Sequence, residues 1–337
     1  MKLWKLIRQT TFREKEPAKG LLVMEWLCLG YMMLTALLIL IFWQKMDHPM
    51  GMIYDRLWIL GILLVLWGIY RMYPCRLLRF IRISVQMFML QVWYPETYEF
   101  NRMFDNLDYW FASLEQAIFG CQPALLFGQV CSERIFSEAF NLGYFSYYPM
   151  MLVLMSFYFL YRYKEYEEAS FILMCSFFLY YFIYMFLPVA GPQYYFQAVG
   201  VEWIKVGIFP KLGTYFSNNM DMYPAPGDSS GFFYQLVTSA QGFGERPTAA
   251  FPSSHVSITV IMLLLAFRTS KRMGFLLLPF SLLLFGATVY VQAHYVIDAI
   301  AGFITAFPVY FLTRWMYRNW FSNIYSQDCP LCWTCKK

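Results

Sequence analysis

The 337 residues hold only three histidines, His48, His255 and His294, so each is worth weighing as a chemical group. His48 sits in the short connection Asp47-His48-Pro49 and is read as a solvated loop residue. His294 stands four residues before Asp298, a spacing that puts both on one face of a helix. A carboxylate placed there accepts an imidazole N–H, fixes the tautomer and makes the other ring nitrogen more basic. That arrangement suits a nucleophile or a general base. His255 follows Pro252-Ser253-Ser254, residue types that open helices. The N–H groups and positive dipole end of a helix start favour phosphate, and the hydroxyls of Ser253 and Ser254 add donors. His255 in that first turn is placed to protonate a leaving oxygen. Taken singly, each segment has a structural explanation: a self-satisfied His–Asp pair, or an ordinary serine N-cap. Their combination carries the chemical reading.

Whatever positions these groups has to work in lipid. The chain is 59% hydrophobic, 21% aromatic and only 14% charged, with a mean hydropathy of +0.44. Soluble domains carry about 25% charged residues, so too little polar surface remains to coat a globule. Disorder is excluded by the same numbers. The expected fold class is an all-α integral membrane protein. Crossing about 30 Å of hydrocarbon takes roughly 20 apolar residues. By that rule eight transmembrane helices are expected, at 21–43, 53–70, 77–94, 143–161, 170–188, 252–268, 274–292 and 295–313. The third opens with Arg76, Arg79 and Arg82, which either snorkel to one interface or mark an amphipathic surface helix.

Charge orients the layout. With the N-terminus inside, nineteen of the 26 Lys and Arg face the cytoplasm and seven face out, as the positive-inside rule requires. Both termini are therefore expected in the cytoplasm, with His255 and His294 together at the outer face, periplasmic or lumenal. Residues 1–20 are polar and basic, unlike a cleavable signal, and are expected to be retained. The net charge of +5 is explained by orientation in the membrane, and no nucleic-acid partner is expected. Segment 95–142 reads as short interfacial helices, and 189–251, rich in Gly, Pro, Ser and Asn, as a long functional loop. Three regions follow: 1–76 with two extra spans, a six-helix core over 77–313, and a tail over 314–337. Cys329, Cys332 and Cys335 in that tail offer three ligands where zinc wants four, so reduced thiols are expected there. Cys121 and Cys131 share an outer segment in which an oxidising compartment would allow a disulfide.

FPSSH (251–255) and HYVIDAIAG (294–302) resemble the second and third signatures of the type 2 phosphatidic acid phosphatase superfamily. Spans three to eight match its six-helix core, and the resemblance runs over roughly 77–313. The first signature falls after the fifth span, at Gly191-Pro192-Gln193-Tyr194-Tyr195. The phosphatase string KxxxxxxRP is missing there: Arg246-Pro247 has Ser239, not Lys, seven positions before the Arg. In the third signature Ala287 and Thr288 stand where Ser and Arg are usual. A phosphomonoester carries about 1.5 to 2 negative charges, a diester one. A site with fewer guanidinium groups matches the diester better.

These departures look like the lipid phosphotransferase branch, the inositol phosphorylceramide and sphingomyelin synthases, and the Ala-Phe-Pro-Ser-x-His string is closer to the former. The resemblance implies a double displacement without cofactor or metal. His294, oriented by Asp298, attacks the diester phosphorus of a phospholipid donor, phosphatidylinositol by this reading. His255 protonates the departing diacylglycerol, and the phosphohistidine then passes the phospho-headgroup to a ceramide acceptor. Ser253, Ser254, Gln193, Tyr194, Tyr195, Arg246 and Tyr295 are the expected substrate-binding residues. Two other readings compete: a lipid phosphate or polyprenyl diphosphate phosphatase with water as acceptor, and a transporter using the His–Asp pair as a proton relay.

Overall fold

In the computed structural model, residues 10–14, 17–18 and 20–321 are described, and their regular structure is helical apart from one isolated bridge between Arg13 and Cys75. The tail cysteines Cys329, Cys332 and Cys335 lie outside the described residues. Two apolar helices come first, α1 (Val23–Phe42) and α2 (Pro49–Met72), followed by α3 (Arg76–Phe88) and α4 (Leu90–Asn101). A belt of short helices follows: α5 (Asp108–Phe119), α6 (Pro123–Val130) and α7 (Arg134–Phe145). Then come α8 (Tyr147–Tyr161) and α9 (Tyr163–Phe186). The long loop carries α10 (Pro192–Val199), α11 (Val201–Lys205) and α12 (Phe232–Gly244) before α13 (Ser254–Thr269), α14 (Lys271–Tyr290) and α15 (Val296–Met316).

Five helical segments are long and apolar enough to cross a membrane: Val23–Lys45, Pro49–Met72, Tyr163–Phe186, Lys271–Tyr290 and Val296–Trp320. The chain is a multi-pass membrane protein. Tyr147–Tyr161 and Ser254–Thr269 are apolar but shorter, about 22–24 Å at 1.5 Å per residue. The expected third span is divided at Met89 into 13-residue and 12-residue pieces, neither long enough alone. Pro95, inside the second piece, lacks the N–H that would bond back to residue 91.

Helix α9 is the hub. It is apolar on every side, as a helix surrounded by protein must be, and packs on α1, α4, α8, α13 and α15. Two of its buried hydroxyls are satisfied within the helix: Ser170 and Ser176 donate to the Tyr166 and Ile172 carbonyls at 2.7 and 2.6 Å. The last three helices form a second bundle, with α13 against both α14 and α15, while α7 packs on α14.

Two arginines of the third expected span are paired inside the protein. Arg82 is fully buried and grips Glu25 of α1 through Nε (2.7 Å) and Nη2 (2.5 Å). Arg79 pairs with Glu167 of α9. Arg56 of α2 holds Glu96 of α4 with two bonds, at 3.0 and 2.9 Å. Glu168 faces Arg268, Arg314 and Arg318, joining α9 to α13 and to the end of the last span. An ionised group is too costly in hydrocarbon to leave alone, so each is matched by its opposite on another helix.

Removing one partner of the Glu25–Arg82 pair strands a buried charge. Arg82→Leu is expected to destabilise the protein by about 3–5 kcal/mol, with Glu25→Leu/Arg82→Leu recovering most of that loss. Unfolding of both variants in detergent measures the difference.

Candidate active site

Two helix starts build the site. Ser253 is the N-cap of α13, its Oγ accepting from the Val256 N–H at 3.4 Å. His255 therefore sits in the first turn, with its ring between two tyrosines of the α7–α8 junction. Tyr144 stacks on it at 5.0 Å between centroids, and Tyr147 lies tilted at 4.6 Å. These aromatic walls leave His255 partly accessible, while His294 is 3% exposed.

His294 lies in the turn between α14 and α15, where its N–H donates to the Thr288 carbonyl at 3.1 Å. Its Nδ1 is 2.7 Å from the Ala250 carbonyl oxygen. A carbonyl only accepts, so that nitrogen carries the proton and Nε2 keeps its lone pair. Nε2 points at Nδ1 of His255, 3.5 Å away. Burial pushes the His294 imidazole down to about 4, against the opposing pull of the Ala250 carbonyl and the negative charge of Glu245. At neutral pH it is an uncharged base with its free nitrogen facing the other histidine.

Asp298 enters differently from the expected triad. Its Oδ2 is 3.8 Å from His294 Nδ1 and accepts the Tyr295 N–H at 2.8 Å, closing the first turn of α15. The imidazole N–H goes to Ala250 instead, and Asp298 Oδ1 has no hydrogen-bond partner among the described residues. The backbone fastens the two segments together: Ser253 N–H donates to the Asp298 carbonyl at 3.0 Å. Gly302, one turn further along α15, lies under this junction, where a Cβ would meet the Ser253 carbonyl oxygen at 2.4 Å.

A second ring of carboxylates supports that geometry. Asp108 of α5 is fully buried and accepts from the Ala190 N–H (2.6 Å), the Gly191 N–H (2.8 Å) and the Tyr295 hydroxyl (3.1 Å). Gly191 has φ +98°, and its missing side chain admits the Ala293 carbonyl beside His294. Glu115 accepts from the N–H groups of Val296 and Ile297 at the start of α15. Burial, reinforced by the charge of Asp298, pushes its carboxyl up to about 8. Glu245, just past α12, accepts from the Tyr94 and Tyr144 hydroxyls, each at 3.4 Å.

The expected substrate-binding residues divide. The two serines serve the helix start: Ser253 Oγ caps it, and the Ser254 N–H donates to the Tyr184 hydroxyl at 2.9 Å. Part of the expected phosphate cradle is thus already used by protein. Gln193 docks the His294 turn through its N–H on the Gln292 carbonyl (2.9 Å), and its side chain accepts from Gln241 at 3.3 Å. Tyr194 packs edge-on against Phe216, and the Tyr195 hydroxyl donates to the Pro210 carbonyl at 2.8 Å. Tyr295 is committed to Asp108. The half-buried Arg246 donates to the Glu245 carbonyl at 3.2 Å. Cys121 and Cys131 are free thiols. The expectations passed over Asp108, Glu115, Glu245, Tyr144, Tyr147 and the Ala250 carbonyl. No spacing rule connects them to the histidines, although the Glu preceding Arg246-Pro247 was visible as a charge in an apolar chain.

Among known proteins, a family model described as the PAP2 superfamily matches residues 109–312, more than half of the chain. No curated protein and no solved structure matches it.

Gly302→Ala is expected to force α15 away from Ser253 and separate the two imidazoles, lowering turnover at least about 10-fold. The measurement is steady-state activity of the variant at unchanged expression level. The depressed basicity of His294 sets a pH window. The stability contributed by its neutral form is present above about 6.5, the ordinary histidine value, and is lost as pH falls toward about 4. Wild-type melting temperature should drop more steeply across that interval than that of His294→Gln.

Proposed function

Since the chain belongs to the PAP2 superfamily, we propose that it is a membrane phosphotransferase moving a phospho-headgroup from a phosphodiester lipid to a lipid alcohol. The donor by this reading is phosphatidylinositol and the acceptor is ceramide, as in inositol phosphorylceramide synthases. The observation that carries it is the pair of imidazoles, His294 Nε2 facing His255 Nδ1 at 3.5 Å with the other His294 nitrogen committed to a carbonyl.

The residues supply each step. His294 Nε2 attacks phosphorus, forming an N–P bond as the bond from phosphorus to the diacylglycerol oxygen breaks. His255, protonated once the anionic phosphodiester sits beside it, gives that oxygen its proton and is left neutral. The phosphorylated ring keeps its Nδ1 proton and becomes cationic, and the Ala250 carbonyl and the Asp298 carboxylate at 3.8 Å stabilise that charge. In the second half the ceramide hydroxyl attacks phosphorus, the N–P bond breaks, and the hydroxyl proton passes to His255. Splitting one displacement into two lets a single pair of rings serve both lipids in turn. The charge asymmetry of the chain supports a site on the periplasmic or lumenal face with both termini in the cytoplasm.

The test gives purified protein fluorescent ceramide with phosphatidylinositol, then with other phospholipids, and separates the products. A new phosphosphingolipid supports the reading. Free phosphate from phosphatidic acid without such a product replaces it with the phosphatase. His294→Ala and His255→Ala are each expected to lower turnover about 1,000-fold or more. Asp298→Asn is expected to lower it about 100-fold, since only the carboxylate charge is removed.

A further inference from the structure

One acidic side chain at this site has no use in the steps above. Glu245 lies in the segment that leads to Ala250, whose carbonyl holds His294. Its two carboxylate oxygens accept from Tyr94 and Tyr144, and Tyr144 is the ring stacked on His255. Tyr144 thus sets the carboxyl one side chain away from the His255 ring, and burial pushes its pKa up while His294 and the two tyrosine hydroxyls act against that rise. Among the described residues, no Lys or Arg side chain pairs with it. The neighbouring guanidinium of Arg246 is turned to the Glu245 backbone carbonyl instead. A site for an anion has thus been given an acidic group of its own.

We propose that Glu245 is a specificity-determining residue that admits singly charged phosphodiesters and rejects doubly charged phosphomonoesters, an inference that rests on the His294–His255 reading. The physical basis is like-charge repulsion in a poorly hydrated site. A diester meets Glu245 with one negative charge, and a monoester with up to two. At an effective dielectric constant of about 20, an extra charge within about 10 Å weakens binding by roughly 10-fold or more. The two tyrosine hydroxyls hold the carboxylate in place by donating to it. The reaction remains available to a lipid whose second phosphate ester, the headgroup, has neutralised one oxygen.

The experiment compares short-chain phosphatidic acid with phosphatidylinositol and phosphatidylcholine of the same acyl chains, each displacing a fluorescent lipid from the detergent-solubilised full chain. Wild type should bind phosphatidic acid at least 10-fold more weakly than either diester. Glu245→Gln, isosteric and uncharged, should close that gap mainly by tightening phosphatidic acid. Equal binding of all three lipids by wild type overturns the proposal without any variant, so it stays falsifiable if Glu245→Gln fails to fold. A parallel loss of all three in Glu245→Gln also overturns it, showing a structural role. Loss of phosphatidylcholine alone overturns it as well, in favour of a seat for a cationic headgroup. Ceramide product is scored separately: a binding gap without product sinks the transferase reading alone, and product without a gap sinks the charge filter alone.

Discussion

One backbone hydrogen bond holds the candidate site together, from the Ser253 N–H to the Asp298 carbonyl at 3.0 Å. It ties the N-cap of α13 to the first turn of α15, and through them sets His255 against His294. Within a helix the Asp298 carbonyl is normally shielded by the residue four positions on. Here that residue is Gly302, whose missing Cβ leaves room for the Ser253 backbone. Both ends of the HYVIDAIAG string thus have a reason: the histidine is the presented group, and the glycine lets the other helix start come close enough to meet it.

The protein is organised to keep that junction rigid without water. Several buried charges that span between helices have their opposites on another element, as in Arg82–Glu25, Arg56–Glu96 and Arg268–Glu168. Such pairs rarely add net stability over apolar packing, but they penalise wrong registers heavily, because a mismatched helix strands an ion in hydrocarbon. Nearer the histidines the same logic uses carboxylates against backbone N–H groups. Asp108 holds the turn at Ala190 and Gly191, while Glu115 and Asp298 hold the start of α15. Three acidic groups therefore surround the His294 turn as structural ties, leaving Glu245 as the one that faces the chemistry through tyrosine.

Much of this was legible beforehand. The apolar runs that became α1, α2, α9, α14 and α15 announce themselves by length and composition, since nothing but a bilayer accepts that many apolar residues in a row. The start of α13 was visible in Pro252-Ser253-Ser254, because the N-cap is a local device. The stretch 77–94 reads as one apolar run, whereas the fold divides it at Met89, and hydropathy does not show the partners that its arginines find in α1 and α9.

The linear order of residues decided what is local: which segments must be helical and lipid-embedded, and where helices begin; the helix face expected to carry both His294 and Asp298 did not form, because His294 lies in the turn before α15. It could not decide which acceptor takes the His294 proton. Two oxygens compete for it, a carboxylate four residues away and the carbonyl of Ala250, 44 positions back in the chain. The carbonyl is closer only because α13 and α15 start side by side, and that proximity comes from packing around a glycine. Folding likewise set Glu245 against the tyrosine that stacks on His255, for a charge placed by tertiary contact leaves no period or spacing from which to read it.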